Sequence, residues 1–277
     1  MGGTGVEPSA ANDTNDANNA EPGAPPLLSV APNGVATITL RRPRHLNRLQ
    51  REDLVTLQDL FKQVARDKAL RVLVLTGSGR VFSTGFDLRA LAQHSDGASA
   101  DPGLFAHTVD QLQALSLPTI ARLNGSVYGG ATDLALACDF RVGVCGMELR
   151  MPAARLGLHY YASGLQRYVS RLGLGAAKRL FLLAETVPAD ELLRIGYLDA
   201  LVNADQLDAH VKRWAERLAS NAPLAVQGMK LSLNEVAAGD LDSPAQKARR
   251  AQCSASLDLT EGIAAWGQRR EPRFTSR

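Results

Sequence analysis

Two glycine-containing segments hold the residues of this sequence that are best suited to chemistry. In "FSTGFDLRAL", Gly85 precedes a helix-like run, and in "NGSVYGGATDLALACDF", Gly129 and Gly130 precede an apolar helix. Glycine lets a backbone approach closely, and the first turn of a helix presents N–H groups that lack partners. Two such turns that converge could stabilise a negatively charged oxygen, which is the construction of an oxyanion hole. Whether they converge stays open, because each segment is also typical of a plain capped helix.

Asp133 is the acidic residue of the second segment, and it enters a leucine- and alanine-rich run that is typical of a buried helix. A carboxylate on such a helix costs stability unless it is hydrogen-bonded or used. Its position therefore favours a catalytic role, with a structural hydrogen bond to a neighbouring N–H as the alternative. Asp87 in the first segment is typical of a residue that caps a helix or favours its first turn.

A third segment, "VLVLTGSGRVF", has the look of a dinucleotide fingerprint because a buried strand runs into Gly77 and Gly79. The third glycine of that motif is absent, with Phe82 standing near its place, and no acidic residue ends a following strand at the expected distance. The segment therefore favours a plain turn over a nucleotide site.

Alternating strands and helices must position these segments. The alternation in "VATITL" predicts a half-buried strand over 35–40, and the nearly continuous apolar run "RVLVLTG" predicts a strand over 71–77 that is buried on both faces. "LPTIARLNG" and "DFRVG" predict two further strands. The helix between the first two strands has an apolar face made of Leu54, Leu57, Phe61 and Val64. The pattern indicates an α/β fold over residues 27–200.

The chain after residue 203 is expected to be helical. One apolar stripe comprises Leu207, Val211, Trp214 and Leu218, and a second comprises Val226, Met229, Leu233 and Val236. Such stripes need a surface to cover, and a second subunit is a reasonable partner. We expect three regions: a disordered tail over 1–26, an α/β core with the ligand site over 27–202, and a helical region over 203–277.

Composition excludes several classes of function. The 31 basic and 28 acidic residues give a net charge of +3 and are scattered, and aromatic residues make up only 5% of the chain, which weighs against nucleic acid as a partner. The three cysteines form no CxxC pair, so a disulfide framework or zinc site is not indicated, and a reducing cytoplasm fits best. No apolar run reaches the roughly 20 residues that a membrane span needs. The first 25 residues lack lysine, arginine and aromatic residues, so no secretory signal is predicted.

Four motifs together resemble the crotonase superfamily, the enoyl-CoA hydratase/isomerase group. They are "ITLRRPRHLNRL", "VLVLTGSGRVFSTGFDL", "PTIARLNGSVYGGATDLALACDFRV" and "MPAARLGL", and the likeness extends from about residue 30 to "EGIAAWGQRREPRF". The resemblance implies a spiral of ββα repeats, followed by helices that pack trimers, often paired into hexamers. It implies an acyl-CoA thioester as substrate and no metal or redox cofactor.

The family binds the thioester carbonyl between two backbone N–H groups, which by motif would be those of Phe86 and Gly130. "HLNRL" (45–49) matches the segment along the pantetheine, and Arg44, Arg48 and Arg51 are candidates for the CoA phosphates, with solvated surface arginines as the alternative. The substrate- and CoA-binding residues that the resemblance implies are His45, Leu46, Arg48, Ser83, Gly85, Asp87, Leu88, Tyr128, Pro152 and Ala153.

The chain departs from the family at one of its two acidic positions. Typical hydratases hold a water between two glutamates; the first matches Asp133, and the second matches Ala153, which has no proton to give. A positioned acid or base contributes roughly 100- to 10,000-fold to a rate. The resemblance therefore disfavours standard hydration unless another group substitutes.

Tyr160 and Tyr161 are the substitutes that lie close along the chain. Related methylmalonyl-CoA decarboxylases carry a tyrosine at the position matching Tyr160, and related dienoyl-CoA isomerases carry aspartates matching Tyr161 and Asp133. An isomerase or a decarboxylase is favoured, with a hydratase that uses a substitute acid, a non-catalytic acyl-CoA binder and a nucleotide-dependent oxidoreductase as alternatives. Packing is the structural alternative for both tyrosines and for His159.

Overall fold

The computed structural model of the chain describes residues 23–87 and 103–275. Its strands, in chain order, are β1 (Ala24–Val30), β2 (Val35–Arg41), β3 (Val72–Gly77), β4 (Thr119–Leu123), β5 (Val127–Tyr128), β6 (Phe140–Val144), β7 (Glu148–Arg150), β8 (Thr186–Pro188) and β9 (Ala200–Val202). One sheet has the order β1-β2-β3-β4-β6-β9, in which β1 and β2 are antiparallel and the other neighbours are parallel. A smaller sheet has the order β5-β7-β8.

The helices in the same ranges are α1 (Arg51–Arg66), α2 (Leu104–Ala114), α3 (Gly130–Ala137), α4 (Ala162–Lys178), α5 (Ala189–Arg194), α6 (Leu207–Ser220), α7 (Pro223–Ala237), α8 (Pro244–Ser254) and α9 (Leu257–Gln268). A 3-10 turn covers Ala153–Leu156, and a π-helical turn at Arg179–Leu183 extends α4. Gly173 interrupts α4 with a positive φ of 80°. Strands and helices thus interleave up to β9, as the sequence pattern predicts.

The core confirms the expected burial patterns. Every residue of β3 is buried, so the continuous apolar run does mark a strand covered on both faces. The residues of β2 alternate between buried and half-buried, which confirms the period of two. The four residues of the predicted apolar face of α1, Leu54, Leu57, Phe61 and Val64, are also buried.

α3 is buried along its length from residue 131 to 137. Such complete burial explains why this helix consists mainly of alanine and leucine, which fill space without needing polar partners. Asp133 is the exception on this helix, and its exposed fraction is 0%. A carboxylate in that position requires partners from neighbouring elements.

The N-terminal boundary lies earlier than expected. β1 begins at Ala24, which pairs with Arg41 of β2, so the sheet starts inside the tail predicted over 1–26. Arg41 and Arg42 fix this start: their guanidinium groups donate to the carbonyl oxygens of Pro25 and Gly23, both at 2.9 Å. Residues 1–22 lie outside the described part of the chain.

After β9 the described chain is helical, as predicted. Leu207 and Val211 of the first stripe pack into the core, whereas Met229 and Leu233 of the second are 59% and 68% exposed. The second stripe therefore presents an uncovered apolar surface on α7. Within residues 23–87 and 103–275, no helix is both long enough and apolar enough to cross a membrane.

Candidate active site

The loop at residues 82–87, which carries Gly85 of the first glycine segment, contacts the second glycine segment. On one side it bridges to the residues before α1, through Leu49 paired with Phe86, and on the other to β5, through Ser83 paired with Val127. The Leu49 N–H donates to the Gly85 carbonyl at 2.8 Å, and the Tyr128 N–H donates to the Ser83 carbonyl at 3.1 Å. The two turns whose meeting the sequence leaves open are therefore in contact.

Gly85 and Gly130 make the closest approach between the turns. Gly85 has a φ of +82°, and a Cβ there would lie 2.7 Å from the Gly130 nitrogen and 2.7 Å from the Tyr128 oxygen. Gly130 opens α3, and no hydrogen bond joins its N–H or that of Phe86 to any described residue. Two unpaired backbone donors on touching turns form an arrangement that an anionic oxygen can bind.

Asn47 and Ser83 hold this loop in place. Asn47 is 1% exposed, and its amide donates to the carbonyls of Ser78 and Val81 at 2.7 and 3.0 Å. The Ser83 hydroxyl donates to the Asn47 carbonyl at 2.7 Å and accepts from the Gly85 N–H at 3.0 Å. The side chain of Ser83 thus supports the loop, and its predicted role in substrate binding stays a prediction. The supporting role of Asn47 was not predicted, although it stands in "HLNRL" with a left-handed backbone that asparagine tolerates.

Both oxygens of the buried Asp133 carboxylate have partners. Oδ1 accepts from Arg167 Nη1 at 2.8 Å, and Oδ2 accepts from the hydroxyl of Tyr160 at 3.2 Å and from that of Tyr161. The structure therefore brings together Asp133 and both predicted tyrosines. The alternative of a hydrogen bond from a neighbouring backbone N–H is wrong, because side chains supply the donors.

Arg167 is the partner that sequence reasoning missed. Its side chain is 1% exposed; besides Asp133, it donates to Asp110 at 2.6 Å and to Gln113. Burial alone would lower the pKa of this guanidinium, but the charge of Asp133 and the hydrogen bond to it hold the pKa above its ordinary value. Arg167 is thus a permanent cation. The sequence carries one signal for this role: Arg167 lies on the same face of α4 as Gly164 and Tyr168. That face is directed toward α3, which carries a single acid.

The two tyrosines differ in their access to the site. Burial, followed by the negative charge of Asp133, raises the pKa of both phenols above the ordinary value, so both stay protonated at neutral pH. Tyr160 is 9% exposed and packs 5.1 Å from Phe181, whereas Tyr161 is half-buried and lies 6.1 Å from Phe105, measured between ring centroids. Tyr161 is therefore the phenol on the open side of the cluster.

Gly164 leaves the space that this cluster occupies. A Cβ there would lie 2.5 Å from the Tyr160 ring and 2.9 Å from Asp133 Oδ2.

Ala153, 4% exposed, begins the 3-10 turn after Pro152 and brings no titratable group to the predicted second acidic position. His159 is exposed, and its Nδ1 contacts the Tyr160 carbonyl at 2.9 Å.

Aromatic rings surround the two backbone donors. The centroids of Phe86 and Phe105 are 6.2 Å apart, and a Cβ on Gly130 would lie 2.7 Å from Phe105 Cζ. Phe105, from the first turn of α2, was not among the predicted residues, because nothing in its local pattern marks it. The Phe105 ring therefore lies directly beside Gly130, one of the two donors.

The predicted CoA-binding residues differ in exposure and backbone conformation. His45, Arg44 and Arg51 are exposed, and Leu46 adopts a left-handed backbone with a φ of 52°. Arg48 forms an ion pair with Asp87 at 3.2 Å. Leu88 and the helix expected after Asp87 lie outside the described residues.

Tyr128 and the "GSGRVF" turn take structural positions. The Tyr128 hydroxyl donates to Glu148 of β7 at 2.6 Å, which joins two strands of the small sheet; its contact with a substrate stays a prediction. Asn124 closes the turn, accepting from the Gly77 N–H at 3.1 Å and donating to the Gly79 carbonyl at 2.8 Å. These contacts agree with a plain turn. Among the described residues, no group of three or more histidine, cysteine or acidic side chains is placed to hold a metal ion.

Solved structures define the class of this fold. An enoyl-CoA hydratase from Bacillus anthracis superposes with a TM-score of 0.81, at 27% identity, covering 92% of this chain and 100% of that chain. The architecture is thus the crotonase fold that the resemblance implied. The crotonyl-CoA hydratase of Syntrophomonas wolfei is 32% identical over 247 residues, 88% of this chain and 95% of the relative. The 2,3-dehydroadipyl-CoA hydratase of Escherichia coli K12 is 30% identical over 248 residues, 88% of this chain and 96% of the relative.

The family model for enoyl-CoA hydratase/isomerase matches residues 30–277. The chain belongs to the enoyl-CoA hydratase/isomerase family and is an enzyme of that family.

Proposed function

We propose that this enzyme converts an acyl-CoA thioester through an enolate whose oxygen is held by the backbone N–H groups of Phe86 and Gly130. The contact between Gly85 and the Gly130 nitrogen supports this assignment, as do relatives whose names specify CoA thioesters. One such donor is typically worth about 3 kcal/mol of barrier.

A base-free reaction suits the site better than hydration. The observation that carries this choice is the occupied Asp133 carboxylate, held by Arg167 and two phenols and facing no second acid because position 153 is alanine. Hydration needs one group to take a proton from water and another to give a proton to carbon. We infer that neither Tyr160 nor Tyr161 is available as the base, because their raised pKa values keep both phenols protonated at neutral pH, while Asp133 acts as the acceptor in all three of its contacts.

Of the isomerase- and decarboxylase-type reactions, decarboxylation requires the least proton transfer by Asp133, Tyr160 and Tyr161. The bond between Cα and the carboxylate breaks, CO2 leaves, and the electron pair enters the enolate stabilised by the two N–H groups. A proton from water, oriented by the half-buried Tyr161, then returns to Cα. Double-bond isomerisation would require Asp133 to leave its partners and carry the proton itself. We therefore favour a decarboxylase that acts on a malonyl-type thioester. We propose a small acyl group, because the rings of Phe86 and Phe105 lie beside the two donors.

Hydration is the second candidate, and the named hydratases among the relatives favour it. In that reaction Tyr161 and Asp133 would act together as the substitute acid and base. It differs from the first candidate by its product, a hydroxyacyl-CoA.

The experiment that decides is incubation of the protein with crotonyl-, 3-enoyl-, dienoyl- and methylmalonyl-CoA, with products identified by mass. We expect loss of CO2 from methylmalonyl-CoA. Isomerised enoyl-CoA would select the isomerase, rapid addition of water would select the hydratase, and binding without any product would leave only a non-catalytic binder.

We also propose a homotrimer, or a hexamer of two trimers, whose contacts cover the exposed stripe on α7. Its residues Met229 and Leu233 are accompanied by Ile263 and Trp266 on α9, which are 66% and 87% exposed. Exposed apolar surface of this kind marks interaction sites. Sedimentation velocity measures the assembly directly, and a monomer at micromolar concentration would overturn the proposal.

A further inference from the structure

Arg167 lies where three helices of the site meet. It extends from α4, and its guanidinium group pairs with Asp133 of α3 at 2.8 Å and with Asp110 of α2 at 2.6 Å. The exposed fractions of these three side chains are 1% for Arg167, 0% for Asp133 and 43% for Asp110. The cation therefore connects a fully buried acid to an acid at the surface.

Each helix carries a different part of the site. α2 carries Phe105, whose ring lies over Gly130, and α3 opens with Gly130 itself. α4 follows directly after Tyr160 and Tyr161. A rigid, planar guanidinium with several donors can fix the relative positions of three such elements, which a single-point ammonium group cannot do.

We propose that Arg167 is a positioning residue: it keeps Asp133 ionised and, through that carboxylate, fixes the hydroxyl of Tyr161 beside the reacting group. The claim about Tyr161 rests on the proposed function, since it assumes that Tyr161 faces the substrate. The claim about the charge of Asp133 rests on its ion pair with Arg167 alone.

Removing one member of a buried pair leaves the other without compensation. Without Arg167, the fully buried Asp133 carboxylate keeps two phenol donors and no cation, and taking up a proton relieves that cost. A protonated Asp133 is a weaker acceptor for the Tyr161 hydroxyl. The phenol then loses the orientation that the anion gives it.

Other charged and titratable groups surround the pair, and a test of its ionisation must account for them. They are Asp110 on α2, Arg171 on α4, and the phenols of Tyr160, Tyr161, Tyr168 and Tyr197. The phenols stay neutral at neutral pH because burial raises their pKa values. Asp110 and Arg171 are then the neighbours whose charges act on the pair.

Arg171 offers a matched control on the same helix. It lies one turn further along α4, and its guanidinium donates to the Cys138 carbonyl. Like Arg167 it is largely enclosed, and burial lowers its pKa to about 10. Replacing it removes an enclosed arginine from α4 without breaking the ion pair with Asp133.

The first test is carbon-13 NMR of aspartate side-chain carboxyls in the full-length protein, with Asp133→Asn used to assign the Asp133 signal. We expect that signal to stay at the carboxylate position across the neutral range in the wild type and in Arg171→Met. In Arg167→Met it should move to the protonated position. An unchanged signal in a folded Arg167→Met variant would overturn the proposal. This readout needs no turnover, so it holds even if the proposed reaction is wrong.

The second test is a double-mutant cycle, measured with whichever thioester of the panel the wild type converts fastest. Arg167→Met and Asp133→Asn should each lower kcat on the order of 100-fold, the loss typical of a misplaced catalytic group, with KM nearly unchanged. The double variant should be no slower than the slower single variant, because both changes act through one carboxylate. It also removes both buried charges, which keeps the cycle measurable if Arg167→Met folds poorly. Losses that multiply, or an equal loss of kcat in Arg171→Met, would show that Arg167 acts only on folding.

Discussion

Asp133 combines complete burial with three side-chain donors, and this combination decides what the residue can do. A carboxylate that accepts from a permanent cation and two phenols is held in one orientation, which suits an electrostatic role. It is poorly suited to shuttle a proton, because each protonation would cost the hydrogen bonds of the whole cluster. At the residue scale, the phenol on the open side is therefore the group to test.

Replacing Tyr161 by phenylalanine should lower kcat by about 10- to 100-fold and leave KM nearly unchanged, because the hydroxyl acts on the reaction and not on CoA binding. Steady-state kinetics on the preferred thioester measures this. The control is Tyr160→Phe, which removes the more buried neighbour, 9% exposed, and should cost less. Equal losses for the two variants would contradict the assignment of Tyr161 to the open side.

Gly85→Ala should abolish activity, because its Cβ would lie 2.7 Å from the nitrogen of Gly130 and force the two donors apart. The loss in kcat should reach at least about 100-fold. Gly146→Ala is the matched control, since Gly146 has the same φ of +82° but has nothing within 4 Å of its added Cβ. It should cost only backbone strain, roughly 1–2 kcal/mol of unfolding free energy. Retained activity in Gly85→Ala would contradict the oxyanion site.

The sequence predicts Asp133, Gly85 and Gly130 as site residues, and the family resemblance adds that Ala153 stands at the second acidic position. Arg167 escapes it because its partners come from two other helices, with 34 residues separating it from Asp133 and 57 from Asp110. Phe105 escapes for a similar reason, since only the packing of α2 brings its ring to Gly130. Side chains that act on local backbone leave a local pattern, whereas those that join distant elements leave none.

At the element scale, a buried lysine joins α7 to the core. Lys230, 8% exposed, donates to the Leu117 carbonyl at 2.9 Å and pairs with Asp139 at 2.8 Å. Asp139 also accepts from the Thr119 N–H and hydroxyl, at the start of β4. The lysine thus joins a helix that has an exposed apolar stripe to the central sheet. The stripe pattern predicts the helix but not this attachment, because lysine is expected at the surface.

Lys230→Met should lower the unfolding free energy by about 3–5 kcal/mol, since it leaves Asp139 enclosed without its cation. Urea unfolding followed by circular dichroism measures the change. Lys62→Met is the control: its pair with Asp59 is exposed, at 52% and 66% for the two side chains, and should matter by under about 0.5 kcal/mol. Similar losses for both lysines would contradict the attachment described for α7.

At the scale of the whole molecule, four enclosed or half-buried tyrosines make the fold sensitive to alkali. Burial, the largest cause, raises the pKa values of Tyr160, Tyr161, Tyr168 and Tyr197 above the ordinary 10.0. Above that pH the unfolded chain loses phenol protons that the folded chain keeps, so folding stability falls as pH rises. Arg171 and Lys230, whose pKa values burial lowers, act in the opposite sense, whereas Cys138, whose pKa burial raises to about 12, adds to the fall.

The midpoint of thermal unfolding should therefore stay level up to about pH 10 and fall steeply above it. Circular dichroism gives the midpoint, and the ultraviolet absorbance of tyrosinate gives the ionisation of the phenols. We expect most of the tyrosinate signal to appear only as the chain unfolds. Full ionisation of the phenols in a chain that stays folded would contradict their burial.

The fold and the reaction differ in how far the sequence determines them. The apolar strands and the motif order of β2, β3, β4 and α3 specify the crotonase fold, and family membership follows from the whole length. The reaction is less well determined, because our proposal depends on a few side chains around Asp133 and on the resemblance that matches Ala153 to an acidic position. Relatives that are 30% to 32% identical are named hydratases, so likeness alone favours hydration, whereas we propose decarboxylation.

The most direct test of the proposed decarboxylation compares two initial rates on one preparation of the purified enzyme: CO2 release from methylmalonyl-CoA and addition of water to crotonyl-CoA. If the N–H groups of Phe86 and Gly130 hold an enolate oxygen and position 153 supplies no acid, the enzyme should release CO2 at least about 100-fold faster than it hydrates, the contribution of one missing acid or base. Hydration of crotonyl-CoA at the faster rate would contradict decarboxylation as the reaction of this enzyme.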